Sequence, residues 1–288
     1  MEKVSKSQFL EINDIRYHIR TWGDSSSDHL YLMHGWMDMS ASFQFTVDAL
    51  SKDWFVIAPD WRGFGLSSWA SHGYWFPEYV ADLAGIINKL SPDTDINLVG
   101  HSMGGNVAGL YTGVFPEKIK RLVLAEGFGM PPRDASEAPD HLKKWLSQKN
   151  SETALKPYKS LAAVAKRLID NTPALTEERA LFLAQHWSTE GANGEFTLRA
   201  DPKHKRVNPI LYRSDEASYF WQRISCPTLW LHSDSDWLNK FMKNEYNTIE
   251  EYRSKYQNLS EDTITDSTHM MHHVQPEKFA AIIESFVS

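Results

Sequence analysis

The chain has 288 residues, 42% of them hydrophobic and 23% charged, a globular composition with room for one large α/β domain or two modest ones. A formal net charge of −7 argues against nucleic acid or an anionic membrane as a partner, because both need a basic face. One cysteine, Cys226, rules out an internal disulfide. No stretch reaches the roughly 18 apolar residues of a membrane span, and MEKVSKSQFLEIND lacks a signal-peptide core, so a cytoplasmic protein is expected.

Residues 9–12 and 15–22 read as a hairpin turned by Asn13-Asp14. A short apolar strand over 30–33 ends at His34-Gly35, residues 43–50 have helical spacing, and a buried strand over 54–58 is closed by Pro59-Asp60. Val80, Leu83, Ala84, Ile87 and Leu90 recur at helical period and predict a helix over 78–90. A strand over 96–99 then runs into Gly100-His101-Ser102-Met103-Gly104, and a helix-compatible stretch over 106–115 follows at once. A G-x-S-x-G turn in that context presents the serine hydroxyl from a strained elbow, since the flanking glycines remove Cβ atoms that would clash. With a further strand over 121–125, the alternation predicts βαβ units: a mostly parallel twisted sheet flanked by helices on both faces.

The rhythm stops at Gly127. Residues 130–223 hold no convincing strand, and helical patterns over 140–148, 160–170, 176–186 and 215–221 are divided by loops rich in Pro, Gly and charge. The alternation resumes with a strand over 227–232, a long helical stretch near 239–256, a strand near 263–266 and a final helix over 276–286. The simplest organisation is an α/β core of residues 1–129 and 224–288 carrying an inserted helical lid of residues 130–223. Cys226, before Pro227 at the start of an apolar run, is expected to be a buried structural thiol.

A serine hydroxyl needs a general base, and the base needs a carboxylate to hold its tautomer. His269 is the first histidine after the last predicted strand, at the sheet edge where open parallel sheets place their sites, and is the candidate base for Ser102. His272 and His273 are expected to contact the lid or lie in solvent. No carboxylate or thiol nearby in sequence completes a metal site with them, so neither metal nor cofactor is expected. The backbone N–H of Met103, at a helix N-terminus, and that of Trp36, after an earlier strand, are candidate oxyanion donors. His34, Gly35, His101 and the aromatics Trp187 and Tyr212 are expected to line an apolar pocket, while Lys203-His204-Lys205-Arg206 reads as a solvated loop that could also attract an acidic substrate.

Four motifs in order, His34-Gly35-Trp36, Asp60-Trp61-Arg62-Gly63-Phe64-Gly65-Leu66-Ser67, Gly100-His101-Ser102-Met103-Gly104-Gly105 and His269 with Gln275-Pro276-Glu277, resemble the α/β-hydrolase superfamily. The likeness is to its lidded branch of esterases, cofactor-free haloperoxidases, C–C bond hydrolases, dehalogenases and epoxide hydrolases. It implies that residues 60–67 form a structural loop near the site. It also implies two slots for the acid: Asp236 after the strand that follows the lid, where Ser233 replaces the usual glycine, or Glu126 at the end of the strand before the lid. Glu126, followed by glycines at 127 and 129, is preferred, with Asp236 the alternative. Dehalogenases and epoxide hydrolases carry an aspartate at the elbow, so Ser102 excludes them, and the lack of an HGGG run argues against the hormone-sensitive-lipase-like branch. What remains is acyl transfer: a carboxylesterase acting on a small-molecule ester, with lactonase, thioesterase, amidase and C–C bond hydrolase as variants using the same parts. A ligand-binding receptor on the same fold is the rival from another class.

Overall fold

The computed structural model describes residues 2–149, 151–243 and 246–288. In chain order, a hairpin of β1 (Lys6–Ile12) and β2 (Ile15–Trp22) leads to β3 (Asp28–Met33), α1 (Gln44–Ala49), β4 (Trp54–Pro59), α2 (Phe76–Leu90), β5 (Ile96–His101), α3 (Met103–Val114) and β6 (Ile119–Ala125). Residues 130–223 then carry α4 (Ala138–Lys149), α5 (Leu161–Asn171), α6 (Glu177–Trp187), β7 (Ser188–Glu190), β8 (Phe196–Leu198) and α7 (Ser214–Trp221). The chain closes with β9 (Thr228–Ser233), α8 (Trp237–Phe241), α9 (Tyr246–Arg253), β10 (Leu259–Ile264), α10 (Met271–Val274) and α11 (Pro276–Val287).

Eight strands form one sheet in the order β1-β2-β4-β3-β5-β6-β9-β10. The hairpin is antiparallel, β2 pairs antiparallel with β4, and every pairing from β4 onward is parallel. Asn13 and Asp14 both take positive φ, 47° and 62°, as a two-residue hairpin turn requires. The middle of each central strand is a largely apolar run because both faces are covered. Leu98, Leu122, Leu124 and Trp230 meet Leu83, Val107 and Tyr111 of the helices on one face. Their neighbours Val99, Val123, Leu229 and Leu231 point the other way, onto Phe43, Val47, Phe279 and Ile283. A third cluster, including Val164, Leu168 and Leu183, packs α5 against α6 and takes in Val274. Cys226 is buried, and burial pushes its thiol up to about 11.

Three elements differ from the sequence reading. Residues 130–223 do contain strands, the three-residue β7 and β8, which are too short to show alternation. The last strand spans Leu259–Ile264, not residues 263–266: it is an edge strand whose only buried residue is Ile264, so its polar run carries no periodic signal. The helical stretch near 239–256 is divided into α8 and α9; Lys243 has a φ of 56°, and Asn244 and Glu245 lie outside the described residues. Among the described residues no helix is long and apolar enough to cross a membrane.

Candidate active site

The elbow follows from close packing. A Cβ at position 100 would lie 2.5 Å from the Gly104 carbonyl oxygen, and one at position 104 would lie 2.3 Å from that of Met33, so β5, α3 and β3 can approach only through glycine. Ser102 takes φ 52° and ψ −118°, a strained conformation of the sort that costs about 1–3 kcal/mol and persists where the surroundings over-determine it. Its N–H donates to the Ala125 carbonyl at 2.8 Å, and its carbonyl accepts from Asn106 N–H at 3.1 Å. The Met103 N–H opens α3 and has no partner within the helix.

His269 lies in the loop after β10. Its Nε2 is 3.0 Å from Ser102 Oγ, and its Nδ1 is 3.3 Å from Glu126 Oε2. Glu126 directly follows β6 at φ 51° and is 3% exposed. Its other oxygen, Oε1, accepts from both the N–H and the Oγ–H of Ser233 at 2.7 Å. Ser233, the residue that departs from the usual glycine, therefore holds the glutamate so that its free oxygen faces the imidazole. Asp236 does not reach His269. Its side chain is 58% exposed, accepts from Asn239 Nδ2 at 3.1 Å and sits 3.6 Å from Lys240 Nζ.

Two further contacts hold His269, one at its ring and one at its backbone. Trp237 stacks on His269 at 3.6 Å between ring centroids and 18° between planes. His101 Nε2–H donates to the His269 carbonyl at 2.7 Å. The Asp234 carboxylate accepts from the N–H groups of Asp266 (2.8 Å) and Ser267 (3.0 Å), fixing the loop that delivers His269. Burial, reinforced by His272 and His269, holds His101 well below the ordinary imidazole range, so its ring stays neutral. Sequence reasoning misses Trp237 and Asp234, because a tryptophan and an aspartate after a strand carry no spacing signal.

A cavity of about 490 Å³ opens over Ser102, lined by Gly35, Trp36, His101, Met103 and Trp237 among others. Trp36 is 52% exposed at this cavity rather than part of the core, and the next residue, Met37, takes a φ of 58°. Three expected pocket residues lie elsewhere. His34 is fully buried behind the loop, where its Nε2 accepts from Trp61 N–H at 2.8 Å. Trp187 packs against the third cluster, its ring 6.3 Å from that of His273. Tyr212 lines a separate apolar cleft with Phe76.

His204 is not solvated: its ring is stacked between Phe64 (3.8 Å) and Tyr74 (3.6 Å), and burial pushes its pKa down to about 3. His272 and His273 are buried too. Of the pair, His273 meets residues 130–223, its carbonyl accepting from Arg179 at 3.3 Å. A carboxylate, Asp38, does reach this cluster: its ligand atom and those of His101 and His272 lie within 4.8 Å of one another. Asp38 already accepts from Met39 N–H (2.8 Å), Ser42 Oγ–H (3.1 Å) and His272 Nε2 (2.9 Å), a hydrogen-bonded anchor beneath the site. Asp60 is likewise structural, accepting from Ser40 N–H at 2.7 Å and Leu66 N–H at 2.9 Å and facing His18 at 2.8 Å.

A mostly parallel eight-stranded sheet that presents a serine from a strand-to-helix elbow is the architecture of the α/β hydrolases. The chain belongs to that family, the alpha/beta hydrolase fold, which matches it over residues 28–276. It is similar to a serine hydrolase-like protein of Danio rerio, 25% identical over 93% of this chain and 84% of that protein. It is also similar to the 3-hydroxybutyrate-oligomer hydrolase of Cupriavidus necator, 25% identical over 96% of this chain and 93% of that one. Among solved structures, a thioesterase domain from the curacin biosynthetic pathway superposes with a TM-score of 0.87 at 24% identity, covering 97% and 99% of the two chains.

Proposed function

We propose that the chain is a serine hydrolase that cleaves the carboxylic ester of a small molecule through an acyl-enzyme. The observation that carries this reading is the row Ser102 Oγ, His269 Nε2 and Nδ1, Glu126 Oε2, at 3.0 and 3.3 Å. Glu126 accepts from His269 Nδ1–H, which leaves Nε2 as the lone pair facing Ser102. Ser102 Oγ attacks the carbonyl carbon and His269 Nε2 takes its proton. The N–H groups of Met103 and Trp36 hold the oxyanion. Collapse expels the alkoxide, which receives that proton from His269. Water, deprotonated by the same nitrogen, then attacks the acyl carbon; the acyl–Oγ bond breaks, His269 returns the proton to Ser102 Oγ, and the acid leaves. Residues 130–223 act as the lid: Met130, His204 and Arg206 wall the cavity.

The test is hydrolysis of short p-nitrophenyl esters together with labelling by a fluorophosphonate probe. Ser102→Ala is expected to lower kcat by about 10³-fold or more and to abolish labelling. A wild-type protein that neither turns over the esters nor labels at Ser102 refutes the reading in favour of a ligand-binding protein.

A further inference from the structure

We infer that a cleft beside the catalytic cavity receives an anionic group, a phosphate or a carboxylate, that the substrate carries away from its scissile bond. This rests on the hydrolase reading above and names the substrate class for it. The cleft measures about 360 Å³ and is lined by Lys149, Lys203 and Arg206, with no aspartate or glutamate among its described lining residues. Three permanent cations around one concavity are notable in a chain whose net charge is −7. The cleft is continuous with the catalytic cavity, because Tyr74, Trp75, Arg206 and Asn208 line both.

Two of the three cations, Arg206 and Lys149, have no carboxylate partner among the described residues. Arg206 is held in place by neutral acceptors: the carbonyls of Lys149 (2.9 Å) and Ser151 (2.7 Å), and Thr153 Oγ1 (3.4 Å). Its Nε is buried with no hydrogen-bond partner. A guanidinium fixed in this way, without a carboxylate, presents an oriented donor set to an incoming anion. The Lys149 ammonium lies 5.1 Å from the centre of the Trp145 ring, with no carboxylate partner among the described residues. Lys203 is paired with the buried Asp201 carboxylate at 3.5 Å, which also accepts from Tyr74 Oη–H and Lys203 N–H, so Arg206 and Lys149 carry the uncompensated positive charge. His204, neutral at physiological pH, neither adds to nor cancels this charge.

The experiment compares kcat/KM within two matched pairs. The carboxylate arm sets the mono-p-nitrophenyl ester of glutaric acid against p-nitrophenyl butyrate. The phosphate arm sets acetyl-phosphopantetheine against the neutral thioester S-acetyl-N-acetylcysteamine. The anionic member of at least one pair is expected to be preferred by about tenfold, chiefly through KM, with the preference shrinking in high salt. Whichever arm shows the preference identifies the anion. Arg206→Gln is expected to bring the ratio toward one. Because Arg206 also ties down its loop, Lys149→Gln/Lys203→Gln serves as an independent variant with the same expected effect. A ratio at or below one in both arms, or a ratio unchanged in both variants, overturns the proposal. Failure of the hydrolase reading looks different, as no turnover of any of the four substrates. In that case titration with glutarate and with phosphopantetheine, followed by the fluorescence of Trp75 and Trp145 in the cleft wall, decides the matter: saturable quenching that the variants lose supports it, and none refutes it.

Discussion

Replacing Glu126 by glutamine tests the site most sharply, because the structure dictates how the new amide must sit. Ser233 directs two donors, its backbone N–H and its hydroxyl, at Glu126 Oε1 from 2.7 Å. The backbone N–H cannot turn away, so the amide oxygen of the introduced glutamine must occupy that place. The amide NH₂ is then forced toward His269 Nδ1, where the carboxylate oxygen stood at 3.3 Å. A donor there selects the tautomer with the proton on Nε2, and the imidazole loses the lone pair that takes the Ser102 proton. The expected loss in kcat is on the order of 10⁴-fold, about 5.4 kcal/mol of transition-state stabilisation, with little change in fold. The assay is p-nitrophenyl ester hydrolysis by Glu126→Gln and Asp236→Asn side by side, with circular dichroism to confirm folding. A Glu126→Gln enzyme within tenfold of wild type, or a larger loss in Asp236→Asn, refutes the assignment of the acid.

Other expectations follow from the same geometry. Trp237→Ala removes the ring stacked on His269 and is expected to lower kcat roughly tenfold with a smaller effect on KM, the pattern of a group that orients the base; a KM effect alone would speak against that role. Leu98→Ala in the fully buried β5 is expected to cost about 2–5 kcal/mol, read by urea unfolding at constant m. Burial pushes His272 and His186 down to about 4 and His204 to about 3, below the roughly 6.5 of an unfolded imidazole. Below about pH 6.5 the unfolded chain binds protons that the folded chain refuses, so the stability these groups contribute is present above that pH and lost as pH falls toward about 4. Thermal melts are expected to drop steadily across that window, and a flat profile would contradict the burial argument.

The elbow is legible in the sequence because its demand is local: glycines at 100 and 104 are required by contacts within a few residues and with the adjacent strand. The βαβ rhythm is legible because strands covered on both faces read as apolar runs. The candidate acid is legible only in part: two carboxylates fill plausible slots, sequence prefers Glu126, and the donors that orient that carboxylate lie 107 residues away in sequence. The serine at 233 is visible as an oddity, but its partner is not. His273 meets residues 130–223 as one of its two expected placements allows, whereas His272 misleads because a polar residue type suggests solvent or the lid, and Asp38, 234 residues away, offsets the cost of burying it. Trp187 and Tyr212 are assigned to the pocket only by membership in residues 130–223, and nothing in periodicity says which side of that segment overlooks Ser102.

Ser102, Glu126 and Ser233 stand at the ends of β5, β6 and β9, three strands hydrogen-bonded in succession. Their lateral spacing is thus an inheritance of the backbone ladder, whose repeat of about 4.8 Å does not depend on what covers it. The three residues hold their register through the sheet itself, whereas residues 130–223 leave and rejoin it between β6 and β9 and bond back to the core at Gly63, Gly65, Tyr74 and Glu277. Under the proposed mechanism, the spacing of the reacting groups is a property of the sheet, while Met130, His204 and Arg206 of residues 130–223 add one wall to the cavity that the sheet's own loops begin.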